Sequence, residues 1–208
     1  MFINDAGRYW LRMSRAESTA LTERLVEIVR RDAGLMQVLT TVRPLELPDW
    51  RIVSGAVYQS VWNDATGRPA GYGIKDYDLA YFDASDVSYE AEDVVIRRVA
   101  GAFEEPFRSQ VEVRNQARVH LWFENRFGEA YSPLGSTDEA LGRFVAPAFA
   151  VGVRLEADER ITVAAPFGLE DVFALTLRPN PHRPAAKGWT RAVDNARARW
   201  PELTVIGG

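Results

Sequence analysis

The succession of hydrophobic periods along this chain predicts an α+β protein, a mixed α/β arrangement of helices and strands. Three observations carry the prediction. The first forty residues follow a helical period, Trp50 to Trp62 passes from a strand through a tight turn into a helix, and the second half mixes period-two runs with capped helices.

Taken in order, Ser14 and Glu17 form a capping box for a helix to about Asp32, with Leu21, Leu25, Ile28 and Val29 on one stripe. A shorter helix from Gly34 to Thr41 buries Leu35, Met36 and Leu39, and Pro44 and Pro48 end the helical pattern. Trp50 to Val53 then reads as a strand that turns at Gly55 into a helix from Ala56 to Trp62. Residues 63–73 are rich in turn formers and read as a loop. The apolar run Ile74 to Phe82 is the next strand, followed by a helix capped by Asp86 or Ser88 and reaching about Ala100.

Ser109 to Arg114 and Ala117 to Glu124 both alternate and predict a hairpin turning at Asn115-Gln116. Ser136 and Glu139 cap a short helix, and Phe149 to Leu155 with Arg160 to Ala164 predict a second hairpin around Asp158-Glu159. Gly168 to Leu177 reads as a helix stopped by Pro179 and Pro181, and a last helix covers Ala185 to Trp200. The expected organisation is an N-terminal helical segment over 1–43, an α/β core over 44–178, and a proline-rich linker with a C-terminal helix over 179–208, together one compact domain.

Composition excludes several chemistries. The 208 residues include no cysteine, which removes disulfides, thiol nucleophiles and cysteine metal sites. The two histidines, His120 and His182, are too few for an all-histidine zinc site, so an expected metal is hard and oxygen-bound, Mg²⁺ or Mn²⁺. A net charge of −4 makes nucleic acid an unfavoured partner without excluding a local basic groove. No apolar stretch approaches a membrane span, and the first residues lack the basic start and apolar core of a secretion signal; a cytoplasmic protein is the expectation.

Asp76 and Asp78 stand one residue apart in the Ile74–Phe82 run. On a strand both fall on one face, roughly 6.5–7 Å apart at Cα, where like charges repel unless a cation neutralises them. A third oxygen ligand is expected from a neighbouring strand. Glu112 is the candidate, because Val111 and Val113 face the core and leave it pointing the other way. Glu112 could equally take a proton from an attacking hydroxyl. An exposed strand face is the bland alternative, set against the apolar flanks Tyr77, Leu79, Tyr81 and Phe82. Arg114 and Arg118 flank the same face, either to meet phosphate or as an ordinary exposed hairpin.

The spacing Gly55-Ala56, then Asp76-Tyr77-Asp78, then Glu112 resembles the nucleotidyltransferase superfamily, with its polymerase-beta-like fold. More closely, Leu47 to Trp50, Gln59 to Asn63, Gly73 to Asp78, Glu112 to Trp122, Ala165 to Leu169 and Arg178 to Asn180 look like a bacterial group known simply as nucleotidyltransferase family proteins. The resemblance implies a small mixed β-sheet flanked by helices. It implies transfer of a nucleoside monophosphate from an NTP to a hydroxyl, with Mg²⁺ as cofactor; among a small molecule, a protein and an RNA end as acceptor, the acidic composition and absent basic tract favour the first two. Asp76 and Asp78 match the paired metal ligands, Glu112 the third carboxylate, and Gly55-Ala56 the turn that the triphosphate approaches. Two departures, Ala56 where the family carries Ser or Gly and a long interval from Ala56 to Asp76, support a second reading: a non-catalytic relative that binds nucleotide or a protein partner. A metal-dependent phosphohydrolase on the same carboxylates is a third.

Overall fold

A computed structural model of the protein describes residues 15–183 and 186–207. Two amphipathic helices come first, α1 over Arg15–Arg31 and α2 over Ala33–Val42. Asp32 separates them because its carboxylate accepts from the Leu35 amide and caps α2. The predicted cap at Ser14 lies outside the described residues.

Strand β1 (Arg51–Val53) follows, then α3 (Gly55–Thr66), β2 (Tyr77–Tyr81), α4 (Tyr89–Gly101), the short α5 (Phe107–Gln110) and β3 (Val111–Asn115). The second half comprises α6 (Phe123–Phe127), α7 (Thr137–Leu141), β4 (Gly152–Leu155), β5 (Ile161–Ala164), α8 (Glu170–Phe173), β6 (Thr176–Leu177), α9 (Trp189–Arg197) and β7 (Thr204–Val205). The order of the main sheet is β3-β2-β1-β4-β5, with β2 and β3 parallel and the other pairs antiparallel. This is the small mixed sheet with flanking helices that the sequence predicts. β6 and β7 make a separate parallel pair.

The two faces of the sheet differ. Ile52, Tyr77, Leu79, Tyr81, Val113 and Val153 belong to the large core, together with Leu25, Leu35, Leu39, Val57 and Trp62 of the helices. The opposite face carries small residues: Val53, Ala80, Ala150 and Ala164 pack with Leu141 of α7, and Phe144 and Phe167 lie against them. The sheet is thus thickly covered on one side and thinly on the other. Two contacts fasten α7 to the thin side: Asp49 accepts from the Thr137 amide at 2.7 Å, and Arg51 pairs with Asp138 at 2.5 Å. The buried Asn180 amide donates to the carbonyls of Gly142 and Phe144, holding the turn after α7.

Sequence and structure part company in two stretches of the second half. Ala117 to Glu124 is not a strand: a 3-10 helix spans Gln116–Leu121 and α6 follows, so β3 remains an edge strand. The Asn115 side chain starts that 3-10 turn by accepting from the Ala117 amide at 3.1 Å, and local capping overrides the alternating pattern. The predicted helix over Gly168 to Leu177 shrinks to the four residues of α8, because Leu175 takes a positive φ of 49° and sends the chain into β6. The last helix is described from Trp189, and the predicted start at Ala185 lies outside the described residues.

One buried carboxylate holds edge strand β3 in place. Glu92 of α4 is 4% exposed; it accepts from the Asn115 amide at 2.8 Å and forms a close ion pair with Arg118. The Asn115 side chain in turn bridges to residue 83, donating to the Asp83 carbonyl and accepting from the Asp83 amide. Breaking a buried pair from one side leaves an unmatched charge and costs about 3 kcal/mol or more. Arg118→Met is therefore expected to lower Tm by roughly 6–12 °C, and the double variant Glu92→Gln/Arg118→Met to recover most of it. A thermal melt in which the single variant matches wild type would show that the pair does not hold β3.

Candidate active site

The thin face of the sheet carries the acids. Val53 pairs with Asp78 across β1 and β2, and Asp78 pairs with Glu112 across β2 and β3. Residues paired in this way point to the same side, so Asp78 and Glu112 stand next to each other on adjacent strands, about 4.8 Å apart in backbone spacing. Arg114, two residues along β3, shares that face and lies beside Ala80. Val111 and Val113 turn the other way, towards the core.

Asp76 occupies the loop immediately before β2, so the strand is shorter than predicted and only Asp78 of the pair belongs to it. The loop is fixed from beneath. Gly73 has φ +75°, and a Cβ on it would come within 2.7 Å of the Trp200 ring, so the turn requires glycine. Trp200 is fully buried, packs edge-on to Trp62 and donates its indole N–H to Asn63 at 3.1 Å; Asn63 also donates to the Tyr72 carbonyl at 2.9 Å. The approach to Asp76 therefore rests on the end of the chain.

Burial and charge act together on Asp78. Desolvation foremost, then the negative charges of Asp76 and Glu112, push its carboxyl up from the ordinary 3.8 to about 7, and Arg114 opposes them. The three acids thus share one field. Their exposure differs: Asp76 and Glu112 are exposed, Asp78 is half-buried, and Glu112 lies 3.7 Å from Arg114 in a loose ion pair. Among the described residues no three His, Cys, Asp or Glu side chains converge closely enough to hold a metal ion. The donor chemistry nevertheless suits a hard divalent ion, since Asp76 and Asp78 offer oxygen alone and Asp78 is charged with difficulty until a cation approaches.

Beside Asp78, at the end of β1, the chain turns sharply into α3. Ser54 takes φ 56° and ψ −117°, a conformation that costs a non-glycine residue about 1–3 kcal/mol, and it caps α3 with no side-chain hydrogen bond. Its amide is tied to the Val151 carbonyl at 2.8 Å, and its own carbonyl accepts from Val57 and Tyr58. Gly55 is the first residue of the helix, and Ala56 behind it is 1% exposed and packs in the core.

Three neighbours of the acids are not among the residues the sequence marks as a site, though Gln59 opens one of the stretches that carry the resemblance. Tyr58, buried in α3, has its phenol pushed up chiefly by burial, with the charges of Asp78 and Asp76 adding to it and Gln59 and Arg199 opposing. Gln59 donates to the Tyr58 hydroxyl at 3.4 Å, and Arg199 reaches from beyond α9 to Gln59 at 3.4 Å and to the Gly73 carbonyl at 2.7 Å. Arg199 is over a hundred residues from Asp76 in the chain, and only the fold reveals their association. Arg118, expected to flank the acids, does not; it is committed to Glu92.

Residues 40–205 match a family model described as Nucleotidyltransferase. A structure described as the NMR structure of a protein that reveals a CCA-adding enzyme head domain superposes with a TM-score of 0.71 at 23% identity, covering 89% of this chain and 96% of that one. The complex of a CCA-adding enzyme with CTP gives a TM-score of 0.53 at 12% identity, covering 89% of this chain and 43% of that one, so this chain spans under half of that enzyme's length. At such identities the two likenesses speak for a shared fold. No curated protein matches the chain. No helix among the described residues is long and apolar enough to cross a membrane. With the family model extending over most of its length, and the paired acids lying beside the turn into α3, the chain belongs to the nucleotidyltransferase family.

Proposed function

We propose that the protein transfers a nucleoside monophosphate from an NTP to a hydroxyl of a small-molecule or protein acceptor. The observation that carries this reading is the row Val53–Asp78–Glu112 across three adjacent strands, with Asp76 bearing on Asp78 and the Gly55 turn at one end. Family membership supports it, and so does the CTP bound to the CCA-adding enzyme that shares the fold.

Each residue then has a role. Asp76 and Asp78 would hold Mg²⁺ or Mn²⁺, which when bound supplies neutralising charge beside the triphosphate. The backbone of Gly55 and Ala56, at the N-terminus of α3, faces the phosphates; with Ala56 buried, amides serve in place of a hydroxyl. The acceptor oxygen attacks the α-phosphorus in line, the bond from the α-phosphorus to the bridging oxygen breaks, and pyrophosphate departs with that electron pair. Glu112 takes the hydroxyl proton. To join the metal as a third ligand, its carboxylate must leave Arg114.

Two observations favour the non-catalytic reading: Glu112 is exposed and paired with Arg114, and Ala56 brings no hydroxyl. The two readings separate experimentally. On the transferase reading, ATP with Mn²⁺ raises Tm by several degrees, and Asp76→Asn or Asp78→Asn removes that rise. Glu112→Gln keeps the rise but slows label transfer from α-labelled NTP to acceptors in a cell extract by about 10²-fold or more. Nucleotide binding without any transfer by wild type would establish the non-catalytic reading, and release of inorganic phosphate without pyrophosphate the hydrolase.

The carboxyl of Asp78 also ties stability to pH. Held near 7 when folded against 3.8 in the ordinary chain, it binds its proton more tightly in the native state. Stability is then unaffected by this group below its unfolded value, falls as pH climbs between the two, and stays reduced above the folded value. Without divalent ions, Asp78→Asn is expected to raise Tm at pH 8 by roughly 3–6 °C, the gain shrinking towards pH 4. A gain of equal size at both ends would refute the assignment of the strain to this charge.

A further inference from the structure

Beyond the acids, on the β3 side of the sheet, lies a cavity of about 320 Å³ that the row of acids does not use. Its apolar wall is aromatic: Trp122, Phe123, Phe127 and Tyr131, with the Phe123 ring 4.7 Å from Phe127 and 4.4 Å from Tyr131. Phe127 remains 46% exposed, an unusual fraction for phenylalanine, although Phe123 and the Arg126 guanidinium lie against its ring. The polar part is cationic. Arg114, Arg143, Arg183 and Lys187 line the cavity; Glu129 engages Arg183 at 2.6 Å, Glu112 and Glu139 lie 3.7 Å from Arg114 and Arg143 in loose pairs, and Lys187 donates to the Gly128 carbonyl at 2.7 Å. A second hollow continues over Arg143, Arg183 and Lys187. In a protein of net charge −4, this is a local concentration of positive charge beside flat apolar surfaces.

We propose that this cavity is the acceptor site, and that the acceptor is a small molecule with a planar apolar ring, a hydroxyl and an anionic group. The inference rests on the transferase reading above. Two residues join the cavity to the acids. Arg114 lines it and stands on the face that bears Asp78 and Glu112, and Phe144 lines it while packing on the Val53–Ala80 cluster of that same face. The order of the strands then assigns the direction of attack. The turn that faces the phosphates is at the end of β1, Asp78 is on β2 and Glu112 on β3. In-line displacement requires the entering and leaving oxygens on opposite sides of the α-phosphorus. With the departing phosphates towards β1, the hydroxyl enters from β3, where Glu112 takes its proton and the cavity opens.

Chemistry narrows the class. Aromatic walls accept a ring by stacking and edge contacts, and guanidinium and ammonium groups accept a carboxylate or phosphate. A volume near the lower end of small-molecule sites suits one ring system with its substituent, and a net charge of −4 disfavours a nucleic-acid strand.

The test uses 4-hydroxyphenyl phosphate and its uncharged counterpart hydroquinone as probes of the full chain, followed by tryptophan fluorescence and by melting with ATP and Mn²⁺. Expected is saturable binding of the phosphate, at least about tenfold tighter than hydroquinone, unimpeded by ATP. The double variant Phe127→Ala/Lys187→Gln, both positions exposed, is expected to weaken it about tenfold or more while leaving the ATP–Mn²⁺ shift as in wild type. Equal binding by wild type and variant, no saturation up to about 10 mM, or displacement of the probe by ATP overturns the acceptor site; the last result gives the cavity to the nucleotide. Tighter binding of an acidic tyrosine-bearing peptide than of the small phosphate overturns the small-molecule class in favour of a protein. An ATP–Mn²⁺ shift with no probe binding sinks the cavity alone, and probe binding with no such shift sinks the transferase reading it was joined to.

Discussion

The parallel pairing of β3 with β2 is the constraint on which the rest depends. β3 is an edge strand, with one neighbour to hold it, and a slip of one residue would turn Glu112 into the core and Val113 out to the acids. The fold opposes that slip from behind the sheet. Glu92, buried on α4, takes the Asn115 amide and the Arg118 guanidinium, and Asn115 fastens the strand's end to Asp83, two residues past β2. A buried ion pair of this kind adds little net stability; its value is in fixing one register out of two.

That constraint explains why electrostatic tension can persist at Asp78. Like charges on neighbouring strands would ordinarily separate, by slippage or by side-chain rotation into solvent. Here backbone pairing fixes Asp78 beside Glu112, and the glycine loop over Trp200 fixes the approach of Asp76. The result is a carboxyl charged only with difficulty, on the face with the thinner cover. Strain concentrated at a small acidic spot, next to a turn where Ser54 also holds an unfavourable backbone conformation, is the pattern expected of a site prepared for a charged ligand.

Much of this was legible in the sequence, and the limits have physical causes. The alternation around Glu112 was informative because Val111 and Val113 have one buried side to choose, whereas the strand period served for Asp78 alone, since Asp76 lies in the loop before β2. The Asn115–Leu121 segment misled because its apolar residues alternate as a strand's do, whereas a side-chain cap on Ala117 decides the backbone. Arg199 and Tyr58 were invisible for another reason: their relevance comes from packing between distant segments, which no local period encodes. The aromatic cavity likewise draws on residues from 114 to 187.

The seat of Gly73 on Trp200 has a consequence for how such a protein can change. The segment leading to Asp76 cannot be exchanged among relatives as a self-contained cassette, since its shape is moulded against a ring supplied by the far end of the chain. A recombination that keeps the shape of this loop has to keep the ring that follows α9 as well.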